Sequence, residues 1–103
     1  MENDKIFELI KAEVYKLLPQ AKVLLFGSRA NNFETDESDW DILILTKDKP
    51  DIKLKKTVHD KLFPISLKIA SFINTLILSE EDWNNNASYY SLRQSVLSKK
   101  VMA

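Results

Sequence analysis

The chain has 103 residues, no cysteine, and equal numbers of acidic and basic side chains, so its formal net charge is zero. These values exclude disulfides, thiolate zinc sites and a cysteine nucleophile, and they argue against a global positive field for nucleic acid. The length predicts one small domain, 1–103. The apolar runs are too short for a membrane span and the N-terminus has no signal-peptide pattern, so we expect a cytoplasmic protein.

The first predicted elements are a helix and a short strand. Residues 4–18 carry apolar side chains at helical spacing and are followed by a proline, which predicts an amphipathic helix that stops there. Residues 21–26 form an apolar run that is too short for a helix, which predicts a buried strand. The mostly polar stretch 27–38 indicates a loop, at whose start a short helix could begin.

The middle of the chain predicts a second strand and a second helix. The second strand covers residues 39–45, where an apolar run follows two aspartates. A favourable N-cap, Asp51, starts a helix that runs to about Leu62, and Pro64 is expected to end it. This expectation rests on proline lacking the N–H that a helix interior requires.

The last third predicts one strand and one or two helices. Residues 67–78 are rich in β-branched and apolar side chains and predict a third strand. The stretch 79–82 resembles a capping-box start, and residues 87–101 predict a terminal helix. The element order predicts an α/β fold with a small mixed three-stranded sheet packed by helices.

Two short motifs flank the polar stretch between the first two strands. Gly27, the only glycine, stands with Ser28 at the end of the first strand, and Asp39 and Asp41 begin the second. Side chains at i and i+2 of a strand share a face, so the two carboxylates would repel unless a cation lay between them. Mg²⁺ prefers such oxygen ligands, and a glycine turn lets phosphate approach the backbone. The pair of motifs predicts a metal-dependent phosphoryl-transfer site, with Trp40 on the opposite, packed face.

Two neighbours complete the predicted site. Arg29 could add positive charge near phosphate, although a solvated surface position explains it equally well. Ser38 is expected to set the loop by local hydrogen bonding. The predicted metal ligands and catalytic residues are Asp39 and Asp41, and the predicted nucleotide-binding residues are Gly27, Ser28, Arg29 and Ser38.

The motifs together resemble the minimal nucleotidyltransferases of the polymerase-β-like superfamily. The stretches that carry the resemblance are Gly27-Ser28-Arg29-Ala30 and Ser38-Asp39-Trp40-Asp41-Ile42. The family pattern is Gly-Ser-x-Ala-x-Gly, a short loop, and Ser-Asp-x-Asp-Leu/Ile. The resemblance implies a nucleotidyltransferase fold and Mg²⁺-dependent transfer of a nucleoside monophosphate from ATP, or another nucleoside triphosphate, to an acceptor. It also implies frequent pairing with a small helical protein of the HEPN type, in which the transferase is the antitoxin of a toxin–antitoxin pair.

The chain departs from the family pattern at two positions. Asn32 replaces the second glycine, a mild change because asparagine tolerates the left-handed conformation. The family usually has an aspartate on its third strand, whereas residues 67–78 contain no acid. Asn74 is our expected substitute, with Ser71 next. An amide can coordinate a metal through its oxygen, but it is a poor general base.

Three functions stay open at this level. The chain could be an active transferase, for which we favour a protein acceptor. Because the third carboxylate is missing, it could instead be a catalytically impaired homologue that binds a partner as an antitoxin. A structural domain without nucleotide binding is the third. The remaining charged and aromatic residues, including the lysines of 47–56 and His59, are explained by solvated helix faces and packing.

Overall fold

A computed structural model describes residues 3–26 and 39–99. The predicted short helix near Ser28 lies outside these ranges. The elements are α1 (Asn3–Leu17), β1 (Lys22–Phe26), β2 (Trp40–Thr46), α2 (Ile52–Ile69), β3 (Ile73–Ser79), α3 (Glu80–Asn85), a 3₁₀ turn (Ala87–Tyr89) and α4 (Tyr90–Lys99). Within the described ranges, no helix combines the length and apolar character that crossing a membrane requires.

The sheet has three strands in the order β1-β2-β3, with β2 in the centre. β1 runs antiparallel to β2, and β3 runs parallel to it. The prediction of a small mixed sheet in an α/β fold is confirmed. The parallel pair requires a crossover connection, which α2 supplies.

The two faces of β2 are buried against different layers. Trp40, Ile42 and Ile44 face the larger apolar cluster, to which α1 and α2 contribute. Leu43 and Leu45 alternate with them and face a smaller cluster that includes Trp83 of α3. Each fully buried side chain of this size contributes roughly 1.5–3 kcal/mol of transfer free energy. The expected orientation of Trp40, away from the aspartates, is confirmed by its 1% exposure.

The prediction that Pro64 ends the second helix was wrong. α2 continues through Pro64 to Ile69, and the third strand begins at Ile73 instead of residue 67. Buried side chains at helical spacing, Leu62 before the proline and Ile65 after it, hold both halves against the sheet. Pro64 is exposed, so its ring faces solvent while the helix loses one backbone hydrogen bond.

α2 ends at a left-handed residue that is not a glycine, so the sequence gives no clear signal for this helix end. Ala70 adopts the left-handed conformation with φ 53°, and its N–H donates to the carbonyls of Leu67 and Ser66. Leu67 and Ile69 therefore belong to the helix, although the apolar, partly β-branched stretch that they open favours a strand. At the other end, the predicted cap is confirmed because the Asp51 carboxylate accepts from the Leu54 N–H at 2.7 Å.

The terminal helices follow the predicted pattern with shifted limits. Ser79 caps α3, since its hydroxyl oxygen accepts from the Asp82 N–H at 3.1 Å. The terminal helix predicted over 87–101 begins with the 3₁₀ turn, and α4 proper covers Tyr90–Lys99.

Replacing the interior proline of α2 tests this description. Pro64→Ala restores the N–H that can donate to the Asp60 carbonyl and removes no buried contact, although proline's lower unfolded-state entropy offsets part of the gain. We expect the free energy of unfolding in urea to rise by about 1–2 kcal/mol. Lys61→Ala, an exposed change on the same helix, should alter it by less than about 0.5 kcal/mol. A destabilised Pro64→Ala protein would contradict the continuous helix.

Candidate active site

The predicted aspartates lie at the start of the central strand. In the register of the sheet, Phe26 at the end of β1 is opposite Asp41, and Asp41 is opposite Asn74 near the start of β3. The side chains of Asp41 and Asn74 therefore occupy neighbouring positions on the sheet face that also carries Leu43. Two carboxylates and one amide therefore meet at the edge of the sheet formed by the N-terminal ends of β2 and β3.

The amide of Asn74 bridges both carboxylates. Its Nδ2 atom donates to Asp39 Oδ2 at 3.2 Å and to Asp41 Oδ1 at 3.2 Å. The two aspartates are half-buried and Asn74 is exposed, so the cluster is open to solvent. Because a primary amide has two N–H donors, it can satisfy one oxygen of each carboxylate. These hydrogen bonds partly offset the repulsion between two like charges.

The position of these side chains is fixed from the opposite side of β2. Trp40, which separates the two aspartates, is buried under the helices, so both neighbours are directed away from that core. The Trp40 backbone N–H donates to the Phe72 carbonyl at 2.9 Å, which starts the pairing of β2 with β3. A buried anchor and a backbone bond thus align Asp39 and Asp41 with Asn74.

The donor set suits a hard divalent cation. Asp39 Oδ2 and Asp41 Oδ1 both lie within hydrogen-bond distance of one nitrogen atom, so they converge on a single point. A 180° rotation of the Asn74 amide would turn its oxygen toward the same point. Oxygen ligands of this kind are those that Mg²⁺ prefers. Among the described residues there is no group of three or more His, Cys, Asp and Glu side chains that could hold a metal.

The remaining predicted residues separate into two groups. Ser71, the second choice for the third position, lines a cavity between α2 and β3. The predicted nucleotide-binding residues Gly27, Ser28, Arg29 and Ser38 lie outside the described residues. Asn74 is therefore the side chain that the structure places beside both aspartates.

The sequence reasoning missed the cavity itself. It has a volume of about 670 Å³ and is lined by Asp39 together with residues from the end of α2 and the start of β3. His59 also lines it, and its ring stacks on Phe63 with 6.3 Å between centroids. Helical periodicity continuing past Pro64 to Ile69 was the signal that could have revealed it, because the last turns of α2 supply Phe63, Ser66 and Leu67 to its lining.

Comparison with known proteins shows the family to which the chain belongs. The family described as Polymerase beta, Nucleotidyltransferase matches residues 8–99. The chain belongs to this nucleotidyltransferase family. A protein of Methanocaldococcus jannaschii named "Putative protein adenylyltransferase" is 34% identical over 79 residues, which are 75% of this chain and 80% of the relative. The resemblance stated from the two motifs is confirmed, and the chain is a nucleotidyltransferase.

Restoring an acid at the third position tests the geometry of this nucleotidyltransferase site. Asn74→Asp removes both amide hydrogen bonds and places a third carboxylate beside two others. In EDTA we expect the free energy of unfolding to fall by about 1 kcal/mol. The loss is this small because the cluster is open to solvent, which screens the repulsion between the carboxylates. Added Mg²⁺ should raise the melting temperature of the variant more than that of the wild type.

The matched control for this change is Gln94→Glu, which also converts an exposed amide into a carboxylate, on α4. It should show neither the loss in EDTA nor the additional response to Mg²⁺. Equal Mg²⁺ responses of Asn74→Asp and the wild type would contradict a shared metal site for the three side chains.

Proposed function

We propose that this chain transfers a nucleoside monophosphate from ATP, or another nucleoside triphosphate, to a hydroxyl group of an acceptor protein. The observation that carries the proposal is the convergence of Asp39 and Asp41 oxygens on the Asn74 amide, in a chain of the nucleotidyltransferase family. Asp39 and Asp41 would hold Mg²⁺. When bound, the cation supplies charge neutralisation and orientation for the triphosphate.

The proposed transfer is an in-line displacement at the α-phosphorus. The acceptor oxygen forms a bond to phosphorus, the bond to the bridging oxygen breaks, and pyrophosphate leaves with the electron pair. The acceptor proton passes to solvent, because an amide at position 74 cannot take it. Gly27 and Ser28 are proposed to bind the β- and γ-phosphates, with Arg29 and Ser38 in support.

Two observations favour adenylyl transfer to a protein. The relative from Methanocaldococcus jannaschii carries a name for such an activity, and it covers most of this chain. The zero net charge gives no general attraction to nucleic acid. By the family resemblance, a small helical protein of the HEPN type in a toxin–antitoxin pair is the partner that we propose to test first.

A second candidate function follows from the amide at the third position. Two carboxylates can hold a cation and nucleotide, but Asn74 adds neither a third negative charge nor a proton acceptor. The chain would then bind its partner as an antitoxin and transfer slowly. A faster Asn74→Asp enzyme would indicate that catalysis is limited at this position, whereas an unchanged rate would favour full activity with the amide.

The experiment that tests the proposed function is calorimetric titration with ATP, with and without Mg²⁺. The Asp39→Asn/Asp41→Asn protein should lose Mg²⁺-dependent affinity by more than about 100-fold, because both charged ligands are removed, whereas changes to residues that only support a ligand cost about 10–100-fold. It should remain folded, since like-charge repulsion is relieved. Asp60→Asn, an exposed change on α2, should bind ATP as the wild type does.

The outcomes separate the candidates. Equal Mg²⁺-dependent binding by the double variant and the wild type would refute the assigned ligands. If the wild type binds neither ATP nor any other nucleoside triphosphate, the proposed function is refuted and a structural domain is favoured.

A further inference from the structure

A second apolar surface runs along α2, on a side of the helix that does not pack in the core. Ile52, Phe63 and Leu67 are 85%, 52% and 67% exposed. Phe63 follows Ile52 by about three helical turns and Leu67 follows by about one more, so the three side chains share one side of α2. The buried side chains Val58 and Leu62 lie on a different side. We call Ile52, Phe63 and Leu67 the α2 stripe.

The α2 stripe ends at a concave surface. Phe63 and Leu67 line the cavity of about 670 Å³ between α2 and β3, and Phe72, which is 76% exposed, lines it as well. The α2 stripe and Phe72 are four of the six large apolar side chains exposed in the described part of the chain. Single exposed apolar residues are common, but a contiguous group of them marks an interaction surface. The cavity at its end is shaped to receive a protruding side chain.

The position of α1 leaves this side of α2 open to a partner. Lys68 of α2 forms a shallow groove with Asp4 and Glu8 of α1, so α1 runs along the side of α2 that carries Lys68. Lys68 lies about 100° around the helix axis from its neighbour Leu67 in the α2 stripe. A helix of another protein could therefore pack beside α2 at the stripe, as α1 packs beside it elsewhere.

The N-terminal half of the α2 stripe is bordered by positive charge. Lys53, Lys55 and Lys56 are exposed and follow Ile52 directly in the sequence. Among the described residues, none of these three lysines forms an ion pair with an acidic side chain. α2 as a whole contains five lysines and one aspartate, although the net charge of the chain is zero. Such a local excess of positive charge favours a partner with acidic groups at the same positions.

The combination of apolar stripe, lysines and cavity favours a protein helix over other occupants. Nucleic acid is bound mainly through its phosphates, and four large apolar side chains offer phosphate no contact. A membrane surface is flat and does not fill a cavity, and α2 cannot sink into it because its other side is buried in the core. A second copy of the chain, related by a two-fold axis along the stripe, would bring the same lysines together.

We infer that the α2 stripe and Phe72 bind an amphipathic helix of another protein, with acidic side chains along its edges and one large apolar side chain that enters the cavity. The stripe is about 22 Å long from Ile52 to Leu67, which matches about four turns of such a helix. This surface does not depend on the proposed transfer, so the inference stands or fails separately from the proposed function.

Three cross-linked helical peptides test the charge and the apolar requirement. The first carries leucine and phenylalanine at helical spacing with glutamate along both edges, and the second replaces each glutamate with lysine. The third keeps the glutamates and replaces the apolar residues with serine. Binding to the wild type is measured by fluorescence anisotropy at low salt, without ATP or Mg²⁺. We expect the first peptide to bind at least about tenfold more tightly than either of the others.

Charge reversal assigns the charge preference to the lysines beside the stripe. Lys53→Glu/Lys56→Glu should weaken binding of the glutamate-edged apolar peptide by about tenfold and strengthen binding of the lysine-edged one, because the charge complementarity is inverted. Lys61→Glu is the matched control, since Lys61 is exposed on a different side of α2, and it should bind both peptides as the wild type does.

Apolar truncation assigns the other half of the preference. Phe72→Ser and Leu67→Ser should each weaken binding of the glutamate-edged apolar peptide by about tenfold. Tyr90→Ser is the matched control, because Tyr90 is 58% exposed on α4 and lies outside the stripe and the cavity. Thermal unfolding establishes that every variant is folded before its affinity is compared.

Several results would overturn the inference. They are no peptide binding by the wild type, equal binding of the glutamate-edged and lysine-edged peptides, and stripe variants that behave like their controls. Vesicles containing phosphatidylserine and an RNA oligonucleotide are tested in parallel. If either binds in place of the peptides and Lys53→Glu/Lys56→Glu abolishes this binding, the surface belongs to a membrane or to nucleic acid instead. A dimer in sedimentation that Phe72→Ser dissociates, without peptide binding, would assign the surface to a second copy of the chain.

Discussion

The parallel pairing of β2 with β3 is the constraint on which the site depends. It brings the amide of Asn74 into contact with Asp41 and Asp39, which lie 33 and 35 positions earlier in the chain. The pairing is held by burial on both faces of β2, where Ile42, Leu43 and Ile44 are fully buried. A shift of one residue in this register would turn Asn74 to the other face and bring Thr75 or Ile73 opposite Asp41. The same apolar packing that stabilises the sheet thus sets the chemistry at its edge.

The site balances repulsion against affinity for a cation. Two half-buried carboxylates near one point repel each other, and the Asn74 amide reduces this repulsion by donating a hydrogen bond to each. A third carboxylate in its place would increase both the repulsion in the absence of metal and the attraction for metal in its presence. The amide therefore lowers the repulsion at this end of the strands, and it would attract a cation less strongly than a third carboxylate would. Under the proposed function, residue 74 is the position at which the balance between repulsion and cation affinity is set.

The fold and the centre of the site were largely predictable from sequence, because they depend on local pattern. Alternating burial about Trp40 and the i, i+2 spacing of the aspartates predicted which side chains share a face, and the structure agrees. The part beyond Pro64 was mispredicted, because a local rule about proline competed with packing across the whole helix. Leu62 and Ile65 bury the same face on either side of it, and that tertiary burial outweighs the lost hydrogen bond.

The consequence of that error was larger than a shifted boundary. A strand over 67–78 would have left Leu67 and Phe72 as ordinary strand residues, whereas the longer helix and the left-handed Ala70 turn them toward a cavity beside Asp39. Nothing local in the sequence distinguishes an apolar side chain that stays exposed from one that packs in a core. Only the arrangement of α2 against β3 in three dimensions makes that distinction.

The central claim is that Asp39, Asp41 and Asn74 surround one divalent-cation site. Paramagnetic Mn²⁺, which prefers the same oxygen ligands as Mg²⁺, tests it in the NMR spectrum of the wild type. We expect low concentrations of Mn²⁺ to broaden the amide signals of Asp39, Asp41 and Asn74 first, with Mg²⁺ competing and Asp41→Asn abolishing the effect. Broadening that begins at surface acids such as Asp60 and Glu81, and that spares this edge of the sheet, would contradict the claim.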